Sequence, residues 1–124
     1  MDADQELSSF IGGAFRSVWA LEVLCDLRRH GGAPRSPDQL VESLRASDLV
    51  VRSSLAELMA AGLVSVDRDG QASYAPASRE LDRLATAAEA QYAKSPDAVR
   101  RIIVRAASPG LTAFSDAFRL GGDK

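Results

Sequence analysis

Apolar residues recur at helical spacing from Phe10 to His30. Ile11, Ala14, Phe15, Val18, Leu21 and Cys25 form one stripe, and Trp19, Val23, Leu24 and Leu27 form a second. This period predicts one helix over the stretch, capped by Ser8 or Ser9 and stopped by Gly31-Gly32. Two stripes cover more surface than a single core-facing side needs. The helix is therefore expected either at the centre of the domain or against a second subunit. Residues 1–9 ahead of it are expected to be disordered or frayed.

Ser36-Pro37-Asp38-Gln39 combines an N-cap serine, a proline at the first helical position and a glutamine that closes a capping box. A short helix through Leu40, Val41 and Leu44 is expected to follow. Ala46-Ser47-Asp48 interrupts it. A third helix is expected from about Asp48 to Ala61, with Val51, Leu55, Leu58 and Met59 at helical spacing and Gly62 as its stop. The period then changes. Leu63 to Arg68 and Gln71 to Ala75 read as two strands around Asp69-Gly70, a dipeptide that favours a two-residue hairpin turn. That turn sets Arg68 opposite Gln71 and Val66 opposite Ser73.

Helical spacing returns after Ser78, where Leu81, Leu84, Ala85, Ala88 and Tyr92 share a stripe. Ser95-Pro96 is expected to cap a last helix with Val99, Ile102, Ile103 and Ala106 on its apolar face. The Ser108-Pro109-Gly110 break separates a tail, residues 108–124, carrying Leu111, Phe114 and Phe118 at spacings of three and four. Residues 10–107 are thus expected to form a single domain.

The order of these elements, and the stretch from Leu55 to Val64 with its Leu-x-x-Leu-x-x-x-Gly-Leu-Val pattern, resemble the winged helix-turn-helix superfamily. Bacterial regulators of the MarR, ArsR and PadR types carry a similar stretch. The resemblance spans Ser36 to Ala75, about a third of the chain. It implies a mainly α fold with a small β-hairpin: a winged helix-turn-helix core flanked by N- and C-terminal helices. It further implies a DNA-binding transcriptional regulator, acting as a homodimer, with the third helix in the major groove. Ser47, Arg52 and Ser53 on that helix, and Arg68 and Gln71 at the wing tip, are the expected DNA contacts. Trp19, Leu81, Leu84, Ala88 and Tyr92 are the expected dimer contacts. Independently of the resemblance, Leu111, Phe114 and Phe118 after the Pro-Gly break suggest a docking element, for the chain's own domain, for a second copy or for another protein.

Charge complicates that expectation. The chain has 124 residues, 15 Lys plus Arg, 17 Asp plus Glu and a net charge of −2. Gly31 to Val64 holds three Arg against two Asp and two Glu, whereas Arg79 to Ala107 holds six basic and four acidic residues. Proteins that neutralise several phosphates normally gather more positive charge on the reading helix. Leu49 and Val50 also occupy its first turn, and Asp67 and Asp69 bracket Arg68. A winged-helix module turned to protein recognition is the alternative.

Enzymatic chemistry finds little material. One histidine, His30, follows two arginines at a helix end, where the helix dipole favours a cation. One cysteine, Cys25, lies in an apolar stripe and can form neither an internal disulfide nor a thiolate cluster. No catalytic residue, metal site or cofactor is expected. The acidic start Met1-Asp2-Ala3-Asp4 is unlike a signal peptide, and no apolar run has the length of a membrane span. The expected setting is a bacterial cytoplasm, away from membranes.

Overall fold

The computed structural model describes residues 3–107. Among these residues the chain is mainly helical, with one two-stranded antiparallel sheet. The described part of the stretch expected to fray is helical: α1 spans Ala3–Ala14. Asp4 and Glu6 occupy its first turn, where the helix dipole favours negative charge.

The single helix expected from Phe10 to His30 is two. α1 ends at Ala14, and α2 spans Val18–Arg29. Ser17 makes the break. Its backbone is extended (φ −151, ψ 159), and its hydroxyl accepts from the Ala20 amide at 3.2 Å. Ser8 and Ser9, expected as caps, lie inside α1. Phe15 fills the corner, fully buried, with its ring edge-on to Phe10 at 5.8 Å. The two apolar stripes therefore belong partly to two helices.

α2 is the central element. Residues Val23 to Leu27 are all buried, which no helix facing one layer allows. On one side it packs against α3 (Pro37–Leu44), α4 (Asp48–Ala60) and the hairpin; on the other it meets α6 (Pro96–Ala106). α1, α5 (Arg79–Lys94) and α6 pack together as a second group. Leu21, Leu24 and Leu27 from α2, Leu40 from α3 and Leu58 from α4 are fully buried in one continuous core with Ile11, Val99 and Ile103.

Local signals place most helix starts. The Ser36 capping box forms in both directions, with Ser36 accepting from the Gln39 amide and Gln39 Oε1 accepting from the Ser36 amide. Ser47 and Ser78 cap α4 and α5 through the amides three residues on, each at 3.1 Å. Ser95 departs from expectation: with ψ at 69 its side chain makes no capping bond, and Pro96 alone starts α6.

The hairpin register differs from the expected one by one residue. β1 (Val64–Val66) and β2 (Ala72–Tyr74) pair Val64 with Tyr74, Ser65 with Ser73 and Val66 with Ala72. Three residues, Arg68-Asp69-Gly70, form the loop, closed by the Asp67 amide on the Gln71 carbonyl at 2.9 Å. The type I′ turn that Asp-Gly favours needs positive φ at both central positions, but only Gly70 takes it (φ 82). Asp67 Oδ1 accepts from the amides of Asp69 and Gln71, both at 2.9 Å, and holds the longer loop. The slip turns Ala72 inward, where it is fully buried, in place of Ser73. Ala72 also exchanges two backbone hydrogen bonds with Arg35, at 2.7 and 2.8 Å, so the segment before α3 is stitched to the sheet edge.

Candidate functional site

Asp26 organises the junction of α2, α3 and the hairpin. It is 1% exposed, and its carboxylate accepts from Ser43 Oγ at 2.7 Å and from Arg35 Nε at 3.3 Å. Arg29 Nη2 lies 3.7 Å away. His30 Nδ1 donates to the Asp26 carbonyl oxygen at 2.8 Å. A buried carboxylate is tolerable only when paired and hydrogen-bonded. Here its hydrogen-bond donors come from α3 and the sheet-edge segment, and Arg29 at the end of α2 adds a positive charge. Asp26 thereby fixes where α3, and with it α4, sits on the body.

Arg28 performs the matching role one residue pair along. Its guanidinium bonds Glu89 at 2.9 Å and Thr86 at 3.0 Å, and lies over the Tyr74 ring at 4.8 Å. Tyr74 donates to Asp82 at 2.6 Å. Burial opposes the Arg28 charge, but Glu89 and Tyr74 outweigh it and raise its pKa. The Tyr74 phenol is pushed up to about 12 by burial and by its bond to Asp82. α2, β2 and α5 are thus locked together.

α4 presents an exposed face. Leu49, Arg52, Ser53, Ala56 and Met59 recur at helical spacing on one side and are exposed. Leu49 is 75% exposed and Met59 is 48% exposed. Met59 shares helical spacing with Val51, Leu55 and Leu58, but those three are buried and Met59 lies outside. Arg52 Nε meets Asp48 Oδ2 at 2.8 Å, one turn back, with both side chains in solvent. An exposed pair of this kind contributes little and is readily exchanged for another partner. Ser47 spends an oxygen lone pair on its cap and keeps its hydroxyl proton to donate. Arg68 is exposed at the hairpin tip, with Gln71 half-buried behind it. The structure puts Arg52 and Ser53 on α4 with Ser47 as its N-cap, and Arg68 and Gln71 on the separate hairpin.

The expected dimer residues divide. Leu84 and Ala88 point into the chain's own core, at 9% and 0% exposure. They are spoken for by packing within one protomer and present no surface to another. Leu81 and Tyr92 are half-buried, and Tyr92 donates to Glu22 while Arg100 lies over its ring at 5.6 Å. Trp19 remains on the surface at 40% exposure. Leu111, Phe114 and Phe118 lie outside the described residues. Asp26 and Arg28 escaped sequence reading because their partners are far along the chain; an acid inside an apolar helical stripe was the available signal.

Cys25 is buried, and its thiol is pushed up to about 12, first by burial and then by Glu89 and Glu22. Among the described residues no cluster of three His, Cys, Asp or Glu side chains is placed to hold a metal ion. No described helix is long and apolar enough to cross a membrane. Comparison with protein-family models, curated proteins and solved structures finds no match.

Proposed function

We propose that the chain is a winged helix-turn-helix regulator that binds double-stranded DNA as a homodimer, in a bacterial cytoplasm. The observation carrying this reading is the stitched edge: helix, sheet-edge segment Arg35, two helices, then a hairpin whose Ala72 pairs back to Arg35. This connection makes α3, α4 and the hairpin one unit that presents α4 outward. In the proposal α4 enters the major groove, and Arg52 releases Asp48 to donate to a guanine edge. Ser47 and Ser53 donate to phosphate or base oxygens. Arg45, in a left-handed conformation at the end of α3 (φ 55), and Arg68 at the hairpin tip contact backbone. Trp19 contributes to the dimer contact.

The test is selection from a pool of random duplexes. The proposal expects one enriched, two-fold symmetric sequence. Arg45 and Arg68 from two protomers amount to four phosphate contacts, so log affinity should fall against log salt with a slope of about −4. Light scattering should give twice the chain mass. No enriched sequence, or a concentration-independent monomer, contradicts the reading.

A second reading, protein recognition by the same face, is favoured by one observation. Leu49 and Met59 leave large apolar surface beside a lone arginine already engaged by Asp48. Under that reading no duplex sequence is enriched, and Leu49→Asp rather than Arg52→Ala abolishes binding to the partner.

A further inference from the structure

α1 and α6 run side by side, and the described residues leave a shallow, open groove between them. Its wide part, about 650 Å³, is lined by Ala98, Ile102 and Ala106 of α6 and by Gly12 of α1. Gly12 keeps the groove floor low: a Cβ there would sit 3.3 Å from Ala106 Cβ. Arg101 and Arg105 border the groove from α6, and Ser8 and Ser9 border it from α1. A second concavity of about 370 Å³ shares Gly12 and Ala106 with the first and reaches Ala107, the C-cap of α6. The chain therefore leaves α6 at the mouth of the groove.

The sequence that follows Ala107 fits this opening. Ser108-Pro109-Gly110 favours a turn over a continuation of α6. Beyond it Leu111, Phe114 and Phe118 share one side of a helical pattern, and Thr112, Asp116 and Arg119 fall together on the other. A helix of about ten residues is marginal alone in water and needs an apolar surface to pack on. The spans agree: Ala98 to Ala106 covers about 12 Å along α6, and Leu111 to Phe118 would cover about 10 Å as a helix. Small residues on either side of Ile102 leave hollows that large side chains can fill. A connection as short as residues 107–110 is common between antiparallel helices. It also holds the segment at a local concentration of about millimolar, which favours it over a second copy or a separate protein.

We propose that residues 111–120 dock as a short helix in the α1–α6 groove of their own chain, antiparallel to α6. Leu111 lies over Ala106 and Gly12, Phe114 over Ile102 and Phe118 over Ala98. The apolar stems of Arg101 and Arg105 flank the rings.

The test is NMR on the full chain. Nuclear Overhauser contacts are expected between the Ile102 methyls and the Phe114 ring. They should arise within one molecule, so an equimolar mixture of labelled and unlabelled chains shows none between molecules. The amides of residues 114–118 should exchange about tenfold or more slowly than in Phe114→Asp/Phe118→Asp. That variant should shift the signals of Gly12, Ile102 and Ala106 and leave those of Leu40 and Leu58 in place. Ser9→Trp, at an exposed position, should fill the groove from α1 and remove the same protection. Unprotected amides in the unaltered chain, protection that survives both variants, or contacts at Leu49 and Met59 instead overturn the proposal. Contacts found only between labelled and unlabelled chains overturn the own-chain assignment in favour of a second copy.

Discussion

Replacing Asp26 by alanine should be among the most damaging single changes in the body of the protein. The carboxylate accepts from Ser43 at 2.7 Å and from Arg35 at 3.3 Å, and solvent barely reaches it. Hydrogen bonds to a charged group are worth about 1.5–3 kcal/mol each. Arg35 is 17% exposed and regains some hydration once its partner is gone, so its share falls at the low end. The loss for Asp26→Ala is then about 3–4 kcal/mol, a large fraction of a typical domain's stability. Asp26→Asn keeps the shape and one acceptor and should cost about half as much. Urea unfolding measures both, and a double-mutant cycle with Ser43→Ala should return a coupling of about 1 kcal/mol. Amide exchange should accelerate in α3, around Leu40, before it does in α5. A cost below about 1 kcal/mol for Asp26→Ala, or no coupling to Ser43, would show that the junction does not depend on this carboxylate.

Three other outcomes are expected. Ser17→Ala should cost about 1 kcal/mol by removing the cap that starts α2, whereas Ser95→Ala, which removes no capping bond, should cost close to nothing in the same unfolding assay. Gly62→Ala should cost about 1–2 kcal/mol, since its φ of 77 disfavours a side chain and the new Cβ would lie 3.3 Å from Leu81 Cδ1; an unchanged urea midpoint would refute this. Burial keeps the Cys25 thiol neutral in the fold, while the unfolded chain releases its proton above the ordinary value of 9.0, so this contribution is present below pH 9.0 and lost as pH rises toward about 12. Cys25→Ala should flatten that alkaline loss, leaving the shares due to Tyr74 and Tyr92, whose phenols burial also raises.

What the sequence made readable was local. Ser36, Pro37 and Gln39 lie within four consecutive positions, and a capping box needs nothing else. Gly62 and the pair Gly31-Gly32 stop helices by backbone conformation alone. The break at Ser17 was masked because apolar residues continue at helical spacing through it, and the period cannot reveal a change of axis. The hairpin register turned on one side-chain oxygen of Asp67, which selects a three-residue loop over the shorter turn. Leu84 and Ala88 show a further limit: a stripe reports that a face is covered, but not whether this chain or a second copy covers it. Leu58 and Met59 are both apolar, but neighbours on a helix point about 100° apart, and α4 buries Leu58 while leaving Met59 outside. Asp26 depends on residues nine and seventeen positions away, a relation that only the folded chain establishes.

The central claim is that α4 reads DNA through Arg52, and it is tested most directly by the affinity of Arg52→Ala for the duplex recovered by selection. The account predicts a loss of about 1–3 kcal/mol, relaxed preference at one base position and an unchanged preference elsewhere in the site. An affinity unchanged by Arg52→Ala would contradict it.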